Sequence, residues 1–289
     1  MATIAIRGLC KSYGKAEVLR DIDLTFEQGR IYGLLGRNGV GKSTLLNLIT
    51  QRIFPDRGEI SVDGTPVGGP GDPLRKIYCM SEVALYPENM RVAELYRWTA
   101  DFYPHFDRAR ADRLTAAFAL DPQKRIKSLS TGYASIVKLI VTLSSGAEVL
   151  IFDEPVLGLD AGHRSLFYRE VLSLYGEKGC TVVLSTHIIE EISDLLESVI
   201  ILEDCRVLVS ERVDQLLDGY HCVSGAEGEV LGYLSGRAAV HTERMGPYLS
   251  ATVAGPADRE QADRLHLTLM RPKLQDLFIH LTQGKGGTL

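Results

Sequence analysis

Gly36-Arg37-Asn38-Gly39-Val40-Gly41-Lys42-Ser43 is the stretch on which the reading of this sequence turns. It follows a continuous apolar run, Ile31 to Leu35, and precedes a helical pattern from Ser43 to Arg52. An unbroken apolar run is what a strand buried on both faces of a sheet requires. The glycines let the chain turn tightly, so that successive N–H groups point inward at phosphate oxygens. A helix opening at Ser43 turns the positive end of its dipole toward the same point. The pattern GxxxxGK[ST] in this setting predicts a nucleotide phosphate cradle, with Lys42 bridging the β- and γ-phosphates and Ser43 ligating Mg²⁺.

Working outward, a second apolar run, Val149 to Phe152, ends on Asp153-Glu154. Carboxylates at the end of a buried strand stand where α/β sheets gather ligand chemistry. Asp153 is expected to hold Mg²⁺, and Glu154 to orient and deprotonate the attacking water. Thr181 to Leu184 and Val199 to Leu202 are further buried-strand runs, and helical segments separate them. That order predicts an α/β fold with a parallel sheet and helices on its faces. Near the N-terminus, Thr3 to Arg7 and Leu19 to Phe26 alternate with period two, and Asp63-Gly64 marks a hairpin. Residues 91 to 120 read as helices, with Val92, Leu95, Tyr96 and Thr99 on one face. After about Gly219, strand-like pieces (Tyr220 to Val223, Leu249 to Val253) and a closing amphipathic helix (Lys273 to Leu281) predict a small α+β domain. Its histidines, His221, His241, His266 and His280, read as surface residues, since no metal-ligand spacing appears.

Composition bounds the function. The chain has 289 residues, 45% of them hydrophobic and 24% charged, the balance of a globular protein. Basic residues number 32 and acidic ones 37, for a net charge of -5, so no nucleic-acid partner is expected. Five scattered cysteines without a CxxC pair, and three asparagines without a glycosylation signal, suggest a reducing compartment with free buried thiols. The stretch Ile136 to Phe152 is apolar but broken at Ser144-Ser145-Gly146, which reads as a helix end before a strand and not as a membrane span. The opening residues lack the apolar core of a signal peptide. A cytoplasmic location follows as an expectation.

Together the glycine loop and Asp153-Glu154 resemble the ATP-binding cassette (ABC) ATPases, a likeness that extends over residues 1 to about 215. The resemblance implies ATP and Mg²⁺, with Asn38, Gly39, Val40, Gly41, Lys42, Ser43 and Thr44 around the phosphates. Leu129-Ser130-Thr131-Gly132-Tyr133 resembles the family's LSGGQ element, with Ser130 and Gly132 kept and meeting the nucleotide of a second subunit in trans. Gly158-Leu159-Asp160 resembles its D-loop, His187 its switch histidine, and Tyr13 its adenine-stacking ring, supported from the side by Val18. The family's Mg²⁺-contacting glutamine falls on Ser81, beside Glu82, when aligned on Leu85-Tyr86-Pro87, and a serine is too short to replace it unaided. On this reading residues 1–218 form the cassette, with a helical subdomain at about 82–145 and an accessory domain at 219–289.

The segment from Glu82 to Val92 and the tail Arg271-Pro272-Lys273-Leu274-Gln275-Asp276-Leu277-Phe278 resemble ABC-2-type exporter ATPases of the bacitracin- and lantibiotic-resistance and YtrB-like group. The resemblance implies an ATPase that dimerises, as homo- or heterodimer, around two ATPs at the cytoplasmic face of the membrane, where it powers a separate permease. The alternatives are a soluble ABC ATPase acting on ribosomes or DNA, and a nucleotide switch that hydrolyses slowly because of Ser81, Thr131 and Tyr133.

Overall fold

The computed structural model describes residues 2–283 apart from 70, 72, 82, 84 and 85. Glu82 and Leu85 therefore lie outside the described residues. The chain divides into two compact units, Met1–His187 with Leu202–Val209, and Ile188–Ile201 with Ser210–Leu289.

The first unit opens with β1 (Ile4–Tyr13), β2 (Ala16–Phe26), β3 (Ile31–Leu35), α1 (Lys42–Ile49), β4 (Arg57–Val62) and β5 (Thr65–Pro66). It continues with β6 (Ile77–Met80), α2 (Val92–Phe102), α3 (Arg108–Ala117), α4 (Thr131–Ser144), β7 (Val149–Asp153), α5 (Ala161–Lys178) and β8 (Thr181–Ser185). β2, β1, β4 and β5 form an antiparallel sheet in that order. β3, β8, β7 and β6 pair in parallel, and every residue of β3, β7 and β8 is buried. Such strands carry apolar residues on both faces because both are covered. The register sets Leu34 beside Ser185 and Ser185 beside Asp153. The carboxyl ends of β3, β8 and β7 thus share one edge, and the loops leaving them meet there.

The glycine loop joins β3 to α1. Gly41, the residue before the helix, has φ 112°, and a Cβ there would lie 2.9 Å from Leu19 Cδ2 and 3.0 Å from the Val18 carbonyl oxygen. Conformation and space both require glycine. α1 ends at Ile49 and not at Arg52, since Gln51 takes a left-handed φ of 52°.

α2 buries Val92, Leu95, Tyr96 and Thr99, the face its periodicity predicts. α3 is tied to α5 by Arg113, which donates to both carboxylate oxygens of Glu170 at 2.8 and 2.7 Å. That bidentate bond holds the buried Glu170 carboxyl below its ordinary range. Arg113 itself is half-exposed, and Arg110 stands 3.9 Å from the same carboxylate as a second cation. α4 ends at Ser144 and β7 begins at Val149, as the Ser-Ser-Gly break predicts. Among the described residues no helix is long and apolar enough to cross a membrane.

Next come α6 (Ile189–Ile192), β9 (Ser198–Glu203), β10 (Arg206–Arg212) and α7 (Val213–Asp218). After them follow β11 (Tyr220–Ala226), α8 (Glu227–Leu234), β12 (Ala239–Met245), β13 (Tyr248–Ala254), α9 (Arg259–Arg264), β14 (Thr268–Met270) and α10 (Leu274–Gln283). From β11 to β14 the order is βαββαβ, and the sheet runs β12-β13-β11-β14 with antiparallel pairings. This is the ferredoxin-like arrangement. Val230 and Tyr233 of α8 and Ala262 of α9 pack with Val223, Leu249, Ala251 and Val253 of the sheet in one core.

Two expectations need correction. His221 is no surface residue but is buried, its Nδ1 2.8 Å from the Gly255 carbonyl and its Nε2 3.0 Å from the Tyr233 hydroxyl. Both ring nitrogens are occupied, as burial of a polar ring demands. The five cysteines are free; Cys180 is buried, which pushes its thiol up to about 11, and burial pushes the half-buried Cys79 thiol up to about 12, while Cys10, Cys205 and Cys222 are half-exposed.

α10 packs on β12, where the His280 ring stacks on His241 with centroids 4.2 Å apart, and His280 Nδ1 lies 2.8 Å from the Thr252 hydroxyl. Burial, and then the facing His241, hold His280 below the ordinary imidazole range, against the opposing pull of Asp276 and Glu243. A base that resists protonation in the folded state loses stability as pH falls below about 6.5, where the unfolded chain takes up the proton first. Between about pH 8 and pH 5, thermal unfolding of the parent should lose more stability than that of His280→Gln, which keeps a partner for Thr252. Parallel pH profiles would contradict this assignment.

Candidate active site

Lys42 opens α1 and is only 6% exposed. Its ammonium turns back into the loop, donating to the carbonyls of Gly36 at 2.7 Å and Arg37 at 3.3 Å. Burial pushes its pKa down, while the charges of Glu154 and Asp153 oppose that shift. A buried cation held by neutral carbonyls, beside the unpaired first N–H groups of a helix, makes a site for a multiply charged anion.

Asp153 ends β7, buried, and its Oδ1 accepts from the Ser185 hydroxyl of β8 at 2.9 Å. The next residue departs from strand geometry. Glu154 has φ 47°, and its N–H donates to the Ser185 carbonyl at 2.8 Å. A left-handed non-glycine residue costs on the order of 1–3 kcal/mol and persists only where its surroundings hold it. Glu154 Oε2 lies 3.0 Å from His187 Nδ1, just past the end of β8.

A cavity of about 480 Å³ brings together Val18, Asn38, Gly39, Gly41, Lys42, Ser43, Thr44, Glu154 and His187, and adds Leu157. These residues fit a nucleoside triphosphate: a glycine loop and helix N-terminus for phosphates, one buried cation, and a carboxylate opposite. The Ser43 hydroxyl and Asp153 carboxylate are hard oxygen donors that suit Mg²⁺, which is commonly held by one or two carboxylates together with substrate phosphates. Tyr13, Val40 and Asp153 do not line this cavity; Tyr13 stands half-exposed at the end of β1, with Lys11 Nζ 5.7 Å from its ring.

Ser130 caps α4, its Oγ accepting from the Tyr133 N–H at 3.4 Å. Gly132 packs so closely on the D-loop segment that a Cβ there would lie 2.7 Å from the Gly158 carbonyl oxygen. The Tyr133 ring meets His163 edge-on at 6.3 Å, and His163 Nδ1 lies 2.9 Å from Asp160 Oδ2. Neither Ser130 nor Gly132 is among the residues that line the cavity of their own chain, and α4 is tied to the 157–158 backbone by Gly132 against Gly158 and by the Ser135 hydroxyl, which donates to the Leu157 carbonyl at 3.4 Å.

Ser81 is not brought to the phosphate cavity either. Its hydroxyl donates to the Val83 carbonyl at 2.7 Å, and its own carbonyl accepts from Lys138 Nζ of α4 at 3.1 Å. Ser81 instead lines a separate cavity of about 340 Å³ with Tyr78, Tyr86 and Tyr103. Sequence reasoning missed Ser185 as the donor to Asp153, Leu157 as cavity wall and Lys138 as the partner of Ser81. A serine ending an apolar run gives no signal of what it will face.

Comparison with known proteins agrees with this geometry. The sequence profile described as "ABC transporter" matches residues 19–157. The ABC transporter ATP-binding protein YtrB of Bacillus subtilis (strain 168) is 30% identical over 217 residues, 75% of this chain and 74% of that protein. The daunorubicin resistance ATP-binding protein DrrA3 of Streptomyces coeruleorubidus is 30% identical over 307 residues, 96% of this chain and 95% of that one. A solved ATP-binding subunit of an ABC transporter, 26% identical, superposes with a TM-score of 0.67 over 74% of this chain and 91% of its own. With a phosphate loop, a strand-end carboxylate pair and relatives matched over most of their length, the chain belongs to the ABC transporter ATP-binding family, an ATP-hydrolysing family.

Proposed function

We propose that this chain is the ATP-binding and ATP-hydrolysing subunit of an exporter whose membrane permease is a separate chain. The observation that carries the reading is the convergence of Lys42, Glu154 and His187 on one cavity. Lys42 exchanges the carbonyls of Gly36 and Arg37 for β- and γ-phosphate oxygens, and the loop from Asn38 to Thr44 supplies further N–H donors. Glu154 accepts the proton of the attacking water, in a position fixed by its backbone bond to Ser185 and its contact with His187. His187 then answers the γ-phosphate. Tyr13, exposed, is free to stack on adenine, with Val18 at its side. Mg²⁺, when held by Ser43 and Asp153, neutralises charge on the phosphates. Ser81 is left out of this set, because its hydroxyl is committed to Val83.

Ser130 and Gly132 complete the site in trans, from a second cassette of the same or a similar kind. Two cassettes close over two ATPs and part when the γ-phosphate is lost. The cassette comprises residues 1–218 and the accessory domain 219–289, at the cytoplasmic face of the membrane. Export as the direction rests on the likeness of the Glu82–Val92 segment and the tail to ABC-2-type exporter ATPases. Full-length likeness to a protein named for daunorubicin resistance points the same way. A second reading, a slow nucleotide switch, is favoured by the turn of Ser81 away from the phosphate cavity.

Lys42→Ala should weaken ATP binding by about tenfold to a hundredfold or more, since it removes charged hydrogen bonds from a buried site; unchanged affinity by calorimetry would sink the phosphate-loop assignment. Glu154→Gln should keep ATP affinity, lower kcat by about 10²–10⁴-fold and accumulate a nucleotide-bound dimer in gel filtration. A variant turning over at the parental rate would remove Glu154 as the base.

A further inference from the structure

His187 is half-exposed, and its Nδ1 lies 3.0 Å from Glu154 Oε2. Where its ring lies depends on the buried strand end that precedes it and on the backbone that follows it. That backbone enters α6, a helix of one turn with no side-chain cap at Ile188. Helices this short do not hold themselves together, because nucleation costs more than one turn of hydrogen bonds returns. The first N–H groups of a helix need partners from elsewhere. One comes from the far end of the chain: the Glu190 N–H donates to the side-chain oxygen of Gln275, in the first turn of α10, at 3.0 Å.

α10 is itself well anchored. Leu274 and Leu277 are buried, and the helix packs against α6, α7 and β12. Farther along, His280 bonds Thr252 and stacks on His241 of the ferredoxin-like sheet. An unbroken series of contacts therefore runs from that sheet, through α10 and Gln275, to the helix that starts two residues after His187.

We propose that Gln275 is a positioning residue for hydrolysis: by capping α6 it holds the backbone that leaves His187. The inference rests on the reading of His187 given above. Gln275 is not among the residues that line the nucleotide cavity, so its loss should change kcat and leave the ATP KM in place.

The test uses steady-state ATPase kinetics of the full chain in four forms: parent, His187→Ala, Gln275→Met and Gln275→Glu. Gln275 is only half-buried, so its replacement leaves the core intact. Gln275→Met should lower kcat by about two- to tenfold, the worth of one hydrogen bond, with KM within twofold of the parent. Gln275→Glu keeps an acceptor oxygen and should recover at least half the parental kcat. Parental kcat in Gln275→Met alongside a depressed His187→Ala overturns the inference and leaves the reading of His187 standing. A fall in kcat shared equally by Gln275→Met and Gln275→Glu also overturns it, since the acceptor would not matter. Parental kcat in His187→Ala overturns that reading and this inference with it.

Discussion

A buried ammonium held by neutral carbonyls organises the site. Lys42 is removed from water by the glycine loop, and among the described residues its ammonium donates to the carbonyls of Gly36 and Arg37 and to no carboxylate. Its charge is thereby left to be matched by something that enters. Burying a cation in this way is costly, and the loop that does so is conformationally costly too, with Gly41 at a φ closed to other residues and no room for a Cβ. A protein retains such a site where a polyanion repays both.

The sheet register carries the next level. Parallel pairing of β3 with β8 and β8 with β7 brings three strand ends to one edge, so residues distant in sequence become neighbours. Ser185 links the parts: its hydroxyl holds Asp153 and its carbonyl holds the strained Glu154 backbone. The D-loop segment and the Ser130 cap are bound to one another by the close approach of Gly132 to Gly158. In the proposed mechanism these two groups of contacts are the halves of a composite site.

Much of this was legible in the sequence, for physical reasons. Strands buried on both faces appear as unbroken apolar runs, which is why β3, β7 and β8 fell where expected. The GxxxxGK[ST] pattern has few structural uses, so the phosphate loop could be read directly. What could not be read was held by partners without a periodic signal. β12 carries mostly half-exposed or exposed residues and β14 is only three residues long, so the ferredoxin-like sheet showed two of its four strands. His221 looked like a surface histidine because its two partners, the Gly255 carbonyl and the Tyr233 hydroxyl, meet it only in the folded sheet. Ser81 was placed by alignment near the metal, yet its hydroxyl turns to Val83 and its carbonyl to Lys138. A lysine in the middle of an apolar helix gave no hint of that bond.

In the proposed mechanism the loop and α1 N-terminus hold the ATP phosphates against Lys42, opposite Glu154. Amide hydrogen exchange with and without ATP, on the Glu154→Gln chain, tests it most directly. Slowed exchange is expected to concentrate at Asn38–Thr44, with much smaller changes in the β11–β14 sheet. Exchange unchanged at Asn38–Thr44, or protection concentrated in the C-terminal sheet, would contradict it.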